Sequence, residues 1–204
     1  MNKRTAAFKI LLAWVAVVLL YGCATVKVDR VEVDETIDLS GKWNDTDSRM
    51  VSEEMISDAL KRPWIGIYRA GHRQLNPVVI VGTVRNRSDE HINTRTFVKD
   101  LEKALINSGE VAFVASAEER GEIRLERKDQ ASHSSETTAK EEGQETGADF
   151  MLQGSINTIS DRIKGKEVRF YQVDLELIDI QSHRKVWIGD KKIKKLVKRS
   201  RFGP

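Results

Sequence analysis

The stretch from residue 77 to residue 116 constrains the fold most, because two apolar runs flank an amphipathic segment. The first run, Pro77 to Val84, is β-branched and nearly unbroken, which is typical of a strand covered on both faces. From Asn93 to Ser108 the apolar residues recur every three or four positions, which predicts a helix closed by Gly109. Its buried side comprises Phe97, Val98, Leu101, Leu105 and Ile106. With a short strand over residues 111–113, this order predicts a βαβ unit.

A helix is also predicted before this unit. Asp47 or Ser48 would cap it, and it would end near Leu60. Its buried side comprises Val51, Met55, Ile56, Ala59 and Leu60. Pro63 stops the helix, and residues 69–76 form a loop. The apolar residues between them are assigned to packing: Trp64, Ile65 and Ile67.

A further helix is predicted after the unit. Ser116 and Glu119 match a capping box, so this helix should begin near Ala117. Residues 129–135 are interpreted as an exposed loop and residues 136–145 as a short surface helix. Metal binding is an alternative for four acids here, Glu136, Glu141, Glu142 and Glu145. We favour a solvated helix face, because no His or Cys is spaced to complete a ligand set.

Three strands are predicted to close the domain. In the first, Phe150, Leu152 and Ile156 alternate with polar residues. A stricter alternation follows and predicts a half-buried antiparallel strand: Tyr171, Val173, Leu175 and Leu177. Turns are expected at residues 161–166 and 181–183, and the last strand begins with Val186, Trp187 and Ile188.

The end of the last strand is rich in lysine: Lys191, Lys192, Lys194, Lys195 and Lys198. The simpler interpretation is an edge strand that charge protects from aggregation. Contact with anionic lipid, glycan or an acidic partner is the functional alternative. The elements together predict a single α/β (α+β) domain over residues 46–197. Its mixed sheet would have about four to five strands with three to four helices, and residues 198–204 would form a basic tail.

The amino terminus carries an export motif. Lys3, Arg4 and Lys9 precede an apolar stretch, Ile10 to Leu20, which has the length of a signal peptide and is too short to be a typical membrane span. Leu20-Tyr21-Gly22-Cys23 follows directly and resembles the lipobox of bacterial lipoproteins. The resemblance implies cleavage between Gly22 and Cys23, a diacylglyceryl group on the Cys23 sulfur and an acyl chain such as palmitate on its amino group.

Cys23 is the single cysteine of the chain, so no disulfide can form within it. Residues 1–22 are therefore assigned to the signal peptide and residues 23–45 to a lipidated amino terminus with a short tether. About 24 residues from Cys23 to Thr46 reach at most roughly 80 Å when extended. Ala24 stands where an Asp would resemble an inner-membrane retention signal, so we expect an outer-membrane anchor facing the periplasm.

The charge and the motifs argue against nucleic-acid binding and catalysis. The formal net charge is +3, and Lys3, Arg4 and Lys9 account for all of it, so the mature chain has no general attraction to nucleic acid. No nucleotide-binding, nucleophile-elbow or zinc-protease motif is present. The four histidines are scattered: His72, His91, His133 and His183. We therefore expect no catalytic residue, no cofactor and no metal.

Several segments resemble those of LpoB-like penicillin-binding protein activator lipoproteins. The main segment is Val79-Ile80-Val81-Gly82-Thr83-Val84-Arg85-Asn86-Arg87-Ser88, followed by His91-Ile92-Asn93-Thr94. Further matching segments are residues 39–48, residues 105–109 and residues 147–154. With the lipobox, they extend over nearly the whole mature chain in the family's order.

The resemblance implies a fold like the amino-terminal domain of TolB. It also implies an outer-membrane lipoprotein that binds and stimulates a class A penicillin-binding protein, a bifunctional peptidoglycan synthase. The alternative is a structural component of an envelope or secretion assembly of the CsgG kind, which has a related fold. Loops on a rigid scaffold commonly carry recognition, so residues 85–93 and 129–135 are the candidate contacts. Asn86 and Ser88 are expected to organise the first of these loops.

Overall fold

The sheet combines parallel and antiparallel strands in the order β2-β1-β3-β4-β5. The computed structural model describes residues 28–32, 35–135, 137, 138, 140, 143 and 145–198. Strands β1 (Val78–Asn86), β2 (Ala112–Phe113) and β3 (Phe150–Ile163) are parallel. Strands β4 (Lys166–Asp179) and β5 (Lys185–Lys198) continue the sheet in antiparallel order. The described residues form four helices, so the predicted α+β class with a mixed sheet is confirmed.

Helix α1 (Asp45–Leu60) is capped by Asn44, three residues before the first of its two predicted caps. The Asn44 side chain accepts a hydrogen bond from the Asp47 backbone at 3.0 Å, and the Asp47 carboxylate accepts one from the Asn44 backbone at 3.0 Å. The prediction that Asp47 or Ser48 is the cap is therefore wrong, because Asp47 is the third helical residue of this capping box. The predicted buried side is confirmed, with Leu60 half-buried: Val51, Met55, Ile56 and Ala59.

Helix α2 (Trp64–Gly71) corrects two predictions. Arg69 and the two residues after it are helical, so the predicted loop is shorter. Trp64 and Ile65 are buried, but the Ile67 side chain is 72% exposed and does not pack as predicted. An eight-residue helix on the surface buries only one side, and Ile67 lies on the other.

The predicted βαβ unit is present as β1, α3 (Thr94–Ser108) and β2. The side chain of Asn93 accepts a hydrogen bond from the Arg95 backbone, and Gly109 closes the helix in the left-handed conformation, with φ of 68°. The buried residues include Phe97, Leu101 and Leu105, whereas Ile106 is 52% exposed and lies outside the core. In β1 only Val79, Ile80 and Val81 are buried in succession, so coverage on both faces is limited to that part of the strand.

Helix α4 (Ala117–His133) begins with the predicted capping box, since the Ser116 hydroxyl accepts from the Glu119 backbone and Glu119 accepts from the Ser116 backbone. It continues through His133, so the loop predicted over residues 129–135 is largely helix. None of its residues is buried. Of the surface helix predicted over 136–145, the described residues 137, 138, 140, 143 and 145 are not helical, and the others lie outside the described residues.

The antiparallel strands are longer than their apolar patterns. Ile163 pairs with Lys166, so the first turn contains only two residues, and the second turn lies between β4 and β5 at residues 180–184. β5 is an edge strand, as predicted. Lys195 is an exception to the protective role given to the lysines, because it is only 10% exposed and forms ion pairs with Asp38 and Asp47.

The core lies where α1, α3 and the sheet meet. Helix α1 contacts α3 and β5, and α3 contacts β1. Along β4, every second residue is buried and the residues between are half-buried. The strand therefore turns one face to the core and the other outward. Among the described residues, no helix is both long and apolar enough to cross a membrane.

Candidate functional site

The loop between β1 and α3, residues 87–93, is closed by side chains at its own ends. The Asn86 side chain accepts from the backbone of Ser88 at 3.0 Å and from its hydroxyl at 2.6 Å. Its amide donates to the carbonyl of Glu90 at 2.7 Å. The prediction that Asn86 and Ser88 organise this turn is confirmed.

The Glu90 carboxylate points from this loop to the inner face of β4. It accepts from the Trp43 backbone at 3.2 Å, from the Tyr171 hydroxyl at 2.7 Å and from the Arg169 guanidinium. Arg169 also donates to Glu167 at 2.8 Å. Glu90 and Arg169 are each only 8% exposed at the side chain. We call Glu90, Glu167, Arg169 and Tyr171 the Glu90 cluster.

The environment of the Glu90 cluster shifts the pKa of three of its members, Tyr171, Arg169 and Glu167. Burial raises the pKa of the Tyr171 hydroxyl, and its hydrogen bond to Glu90 raises it further. Burial alone would lower the pKa of Arg169, but Tyr171, Glu167 and the charge of Glu90 raise it on balance. The Arg162 guanidinium, donating at 2.9 Å, lowers the pKa of Glu167. None of these shifts brings a group close to neutral pH, so these three residues hold structure rather than exchange protons.

The segment before α1 joins the same cluster. The Gly41 carbonyl accepts from the Tyr171 hydroxyl at 3.2 Å. The Trp43 ring meets the rings of Tyr171 and Phe97 edge-on, with centroids 5.7 and 6.0 Å away. Two of the segments that carried the family resemblance, residues 39–48 and 79–94, are therefore held together on β4.

A second carboxylate organises the opposite end of the sheet. Asp149 accepts from the Val78 backbone at 2.8 Å and from the Tyr68 hydroxyl at 2.7 Å. Backbone hydrogen bonds join Asp149 to Val78 and to Ile180. Residues 147–154, another segment of the resemblance, thus connect β1, β3 and helix α2.

Gly154 in that segment lies against the backbone of β4 and leaves no room for a side chain. A Cβ atom placed there would lie 2.1 Å from the carbonyl oxygen of Asp174 on β4. Because that atom belongs to the backbone of a paired strand, it cannot move aside without disturbing the sheet. Glycine at this position allows β3 and β4 to approach.

The polar residues considered for catalysis or metal binding do not converge. His72, His91, His133 and His183 lie exposed on different elements. Glu145 forms an ion pair with Arg124 at 2.7 Å, and the other three acids of its predicted helix lie outside the described residues. Within the described ranges, no three His, Cys, Asp or Glu side chains are placed to hold a metal ion. Gly22 and Cys23 lie outside the described residues, as do residues 199–204.

The model of the LpoB family, described as peptidoglycan-synthase activator LpoB, matches residues 47–193, most of the chain. The chain belongs to the LpoB family. The matched range contains the whole Glu90 cluster and Asp149. The LpoB family comprises activators of peptidoglycan synthases, which agrees with the prediction of a regulator rather than an enzyme.

Solved structures similar to this LpoB family member include two LpoB C-terminal domains. The Salmonella enterica domain is 17% identical, with 73% of this chain and 99% of that chain covered and a TM-score of 0.44. The Escherichia coli domain has the same identity and coverage, with a TM-score of 0.43. A PelC dodecamer from Paraburkholderia phytofirmans is 16% identical, with 63% and 76% covered and a TM-score of 0.31. None of the curated proteins compared with the chain matches it.

Sequence analysis did not identify the Glu90 cluster, although one signal was present. Glu167 and Arg169 occupy the same alternate positions of β4 as Tyr171, Val173 and the apolar residues that follow. Two charged residues in register with a core face indicate a buried ion pair. Their partner in the loop could not be inferred from spacing.

Proposed function

We propose that this LpoB family member is an outer-membrane lipoprotein that binds a class A penicillin-binding protein and increases its rate of peptidoglycan synthesis. The observation that supports this best is the family match over residues 47–193. The lipobox-like sequence at Cys23 supports the anchor, with the domain facing the periplasm. The chain acts on its partner by binding and performs no chemistry itself.

The β1–α3 loop is the proposed contact with the synthase. Arg87 is exposed in the loop, and Arg85 is exposed just before it, near the end of β1, so the loop predicted over residues 85–93 begins two residues later. No ion pair engages either side chain within the described part of the chain. The Asn86 hydrogen bonds and the buried Glu90 carboxylate hold the loop backbone. A loop fixed before binding loses less conformational entropy when it binds, and its charges make the association sensitive to salt.

The activity is tested with residues 23–204 carrying Cys23→Ser, so that no acyl chain is present. The protein is added to each class A synthase of the host, and lipid II consumption and crosslinking are followed. We expect one synthase to bind and to react faster. If none binds and no rate changes, the activator assignment is wrong, and the envelope-assembly component takes its place.

The contact surface is tested with a matched pair of variants. Arg85→Ala with Arg87→Ala should raise the concentration needed for half-maximal stimulation about tenfold. Lys61→Ala with Arg184→Ala removes the same charge from exposed positions outside the loop and should change it less than twofold. Equal effects of the two pairs would show that the loop is not the contact.

The anchor is tested in the native host. Cys23→Ser should block lipidation and leave an unprocessed or mislocalised product. A Cys23→Ser protein that is still cut after Gly22 and still fractionates with the outer membrane would refute the anchor while leaving the synthase assay unaffected.

A further inference from the structure

The β3–β4 hairpin carries an exposed apolar surface at its outer face. Ile159, Ile163 and Leu196 are 67%, 73% and 58% exposed. Ile159 pairs with Phe170, and Val168 pairs with Leu196, so these side chains share one face. We call Ile159, Ile163, Val168, Phe170 and Leu196 the hairpin patch. Single exposed apolar residues are ordinary, whereas a contiguous group on a strand end marks an interaction surface.

Lysines surround the hairpin patch. Lys164, Lys166, Lys194 and Lys198 are exposed, and none of them forms an ion pair with an acid among the described residues. Asp161 is the acid on the same face, while Glu167 is held on the inner face by Arg162 and Arg169. Asp161 lies opposite Val168, between Ile159 and Ile163, so the face combines apolar side chains with one acid and four exposed lysines and carries a net positive charge.

The turn itself forms a small cavity. It has a volume of about 320 Å³ and is lined by Arg162, Ile163, Lys164, Gly165, Lys166 and Glu167. Lys164 and Lys166 line it without an ion pair among the described residues, which favours an anionic group such as phosphate. An anionic headgroup thus has a place beside the exposed isoleucine.

The chain enters the domain at this end of the sheet. Asp38 contacts Lys195 at 2.6 Å, and Lys195 is paired with Arg169 on β4. The turn at Lys164 lies about five residues from Arg169, or roughly 15 Å along the strand. The other end of β4, at Asp179, lies roughly 30 Å away in the opposite direction.

The segment that leads to Asp38 is short. Cys23 precedes it by about 15 positions, which span at most roughly 50 Å when extended and roughly 20 Å as a flexible coil. An anchor at Cys23 therefore keeps Asp38 within about 50 Å of the membrane, and the hairpin turn is nearer to this entry point than the Asp179 end of β4 is.

We propose that the hairpin patch and its lysines dock on anionic phospholipid of the membrane that holds the anchor. The exposed isoleucines enter the interface, and the lysines contact phosphate groups. The hairpin patch shares no residue with the β1–α3 loop, although both lie at the end of the sheet where Glu90 meets Arg169. The orientation rests on the proposed anchor, but the affinity for lipid does not.

Vesicle sedimentation tests the docking with unacylated protein, residues 23–204 with Cys23→Ser. Vesicles of phosphatidylethanolamine alone are compared with vesicles that also contain phosphatidylglycerol. We expect binding to the anionic vesicles alone, weakened by salt. Each basic residue near such a surface contributes a factor of about five. Lys164→Glu with Lys166→Glu should therefore weaken binding more than tenfold, and Ile163→Ser severalfold.

Lys61→Glu with Lys103→Glu is the matched control, because it makes the same charge change on exposed positions outside the hairpin and should alter vesicle binding less than twofold. Urea unfolding verifies that each variant is folded, and Ile163→Ser tests the surface without any charge change. The proposal is overturned if the parent protein ignores anionic vesicles at low salt, or if both charge pairs weaken binding equally. It is also overturned if Lys164→Glu with Lys166→Glu reduces synthase stimulation but leaves vesicle binding unchanged, since the surface would then contact a protein rather than lipid.

Discussion

A carboxylate holds distant segments together at each end of the sheet, and the two carboxylates differ in how their charge is compensated. At one end Glu90 accepts hydrogen bonds from the Trp43 backbone, Tyr171 and Arg169. At the other end Asp149 accepts hydrogen bonds from the Val78 backbone and Tyr68. Each carboxylate joins segments that are distant in sequence. The difference is the compensating charge: Glu90 is paired with a buried arginine, whereas no Lys or Arg among the described residues forms an ion pair with Asp149.

This difference determines how much stability a substitution at each end should cost. Removing one member of a buried ion pair leaves an uncompensated charge in the interior, which costs more than losing a neutral hydrogen-bond donor. The Glu90 end should therefore depend strongly on its arginine. The Asp149 end is half-buried and should lose stability in smaller steps.

The largest effect is expected for Arg169→Met. The Glu90 carboxylate, 8% exposed, loses its cation, so the free energy of unfolding should fall by about 3–5 kcal/mol. Urea unfolding followed by tryptophan fluorescence measures it. Adding Glu90→Gln should recover part of the loss, because that buried charge is then gone. A loss below about 1 kcal/mol would mean that water reaches the pair.

Asp149→Ala should cost less, about 1–3 kcal/mol, because the Val78 backbone N–H and the Tyr68 hydroxyl lose their acceptor. The same urea experiment measures the change. Asp89→Ala is the control: it removes an exposed carboxylate from the β1–α3 loop and should shift stability by less than about 0.5 kcal/mol. If Asp149→Ala costs as much as Arg169→Met, the contrast between the two ends is wrong.

Tyr68→Phe should cost about 1 kcal/mol at neutral pH, and the cost should depend on alkaline pH. Burial raises the pKa of Tyr68 to about 12, with a further contribution from its hydrogen bond to Asp149. The folded state thus holds this proton more tightly than the unfolded state, whose tyrosine titrates near pH 10. This stabilisation is complete below about pH 10 and is lost as pH rises from 10 to 12.

The measurement is the difference in unfolding free energy between the parent protein and Tyr68→Phe at several pH values. That difference should be constant between about pH 7 and 9 and should shrink above pH 10. Tyr171 is present in both proteins, so its own titration cancels. A difference that stays constant to pH 12 would show that the pKa of Tyr68 is not raised.

Arg162→Met should have the smallest effect, below about 1 kcal/mol. Its side chain is 64% exposed, so water and salt screen its ion pair with Glu167, which keeps Arg169 as a partner. Measured beside Arg169→Met, it separates burial from charge, since both variants remove an arginine from the same glutamate. A loss as large as that of Arg169→Met would contradict this account.

Regular patterns predicted the elements that bury one face. The stripe of Phe97, Leu101 and Leu105 and the alternation of β4 correspond to real elements. Ile106 shows the limit of such patterns: the spacing indicates a stripe, but the packing partner determines how wide a stripe is covered. The predicted extent of helix α4 was too short for a related reason: a helix that buries none of its residues has no apolar periodicity to indicate its end.

Local chemistry was predicted better than the interactions between segments. The Ser116 capping box, the Gly109 helix end and the Asn86 turn involve neighbours in sequence, so they follow from residue type alone. The Asn44 cap of α1 is equally local and was missed because the next acceptors in sequence, Asp47 and Ser48, fit the same role.

The sequence by itself determined the α+β class, the βαβ unit, the antiparallel strands and the family, since these depend on local periodicity and on contiguous motifs. Only the tertiary structure decided that Glu90 meets Arg169, 79 positions away, and that Lys195 is an inward ion-pair partner rather than a protective surface charge. The physical reason is that the type of a charged residue does not indicate whether its side chain is buried. Its environment is set by whichever distant segment packs against it.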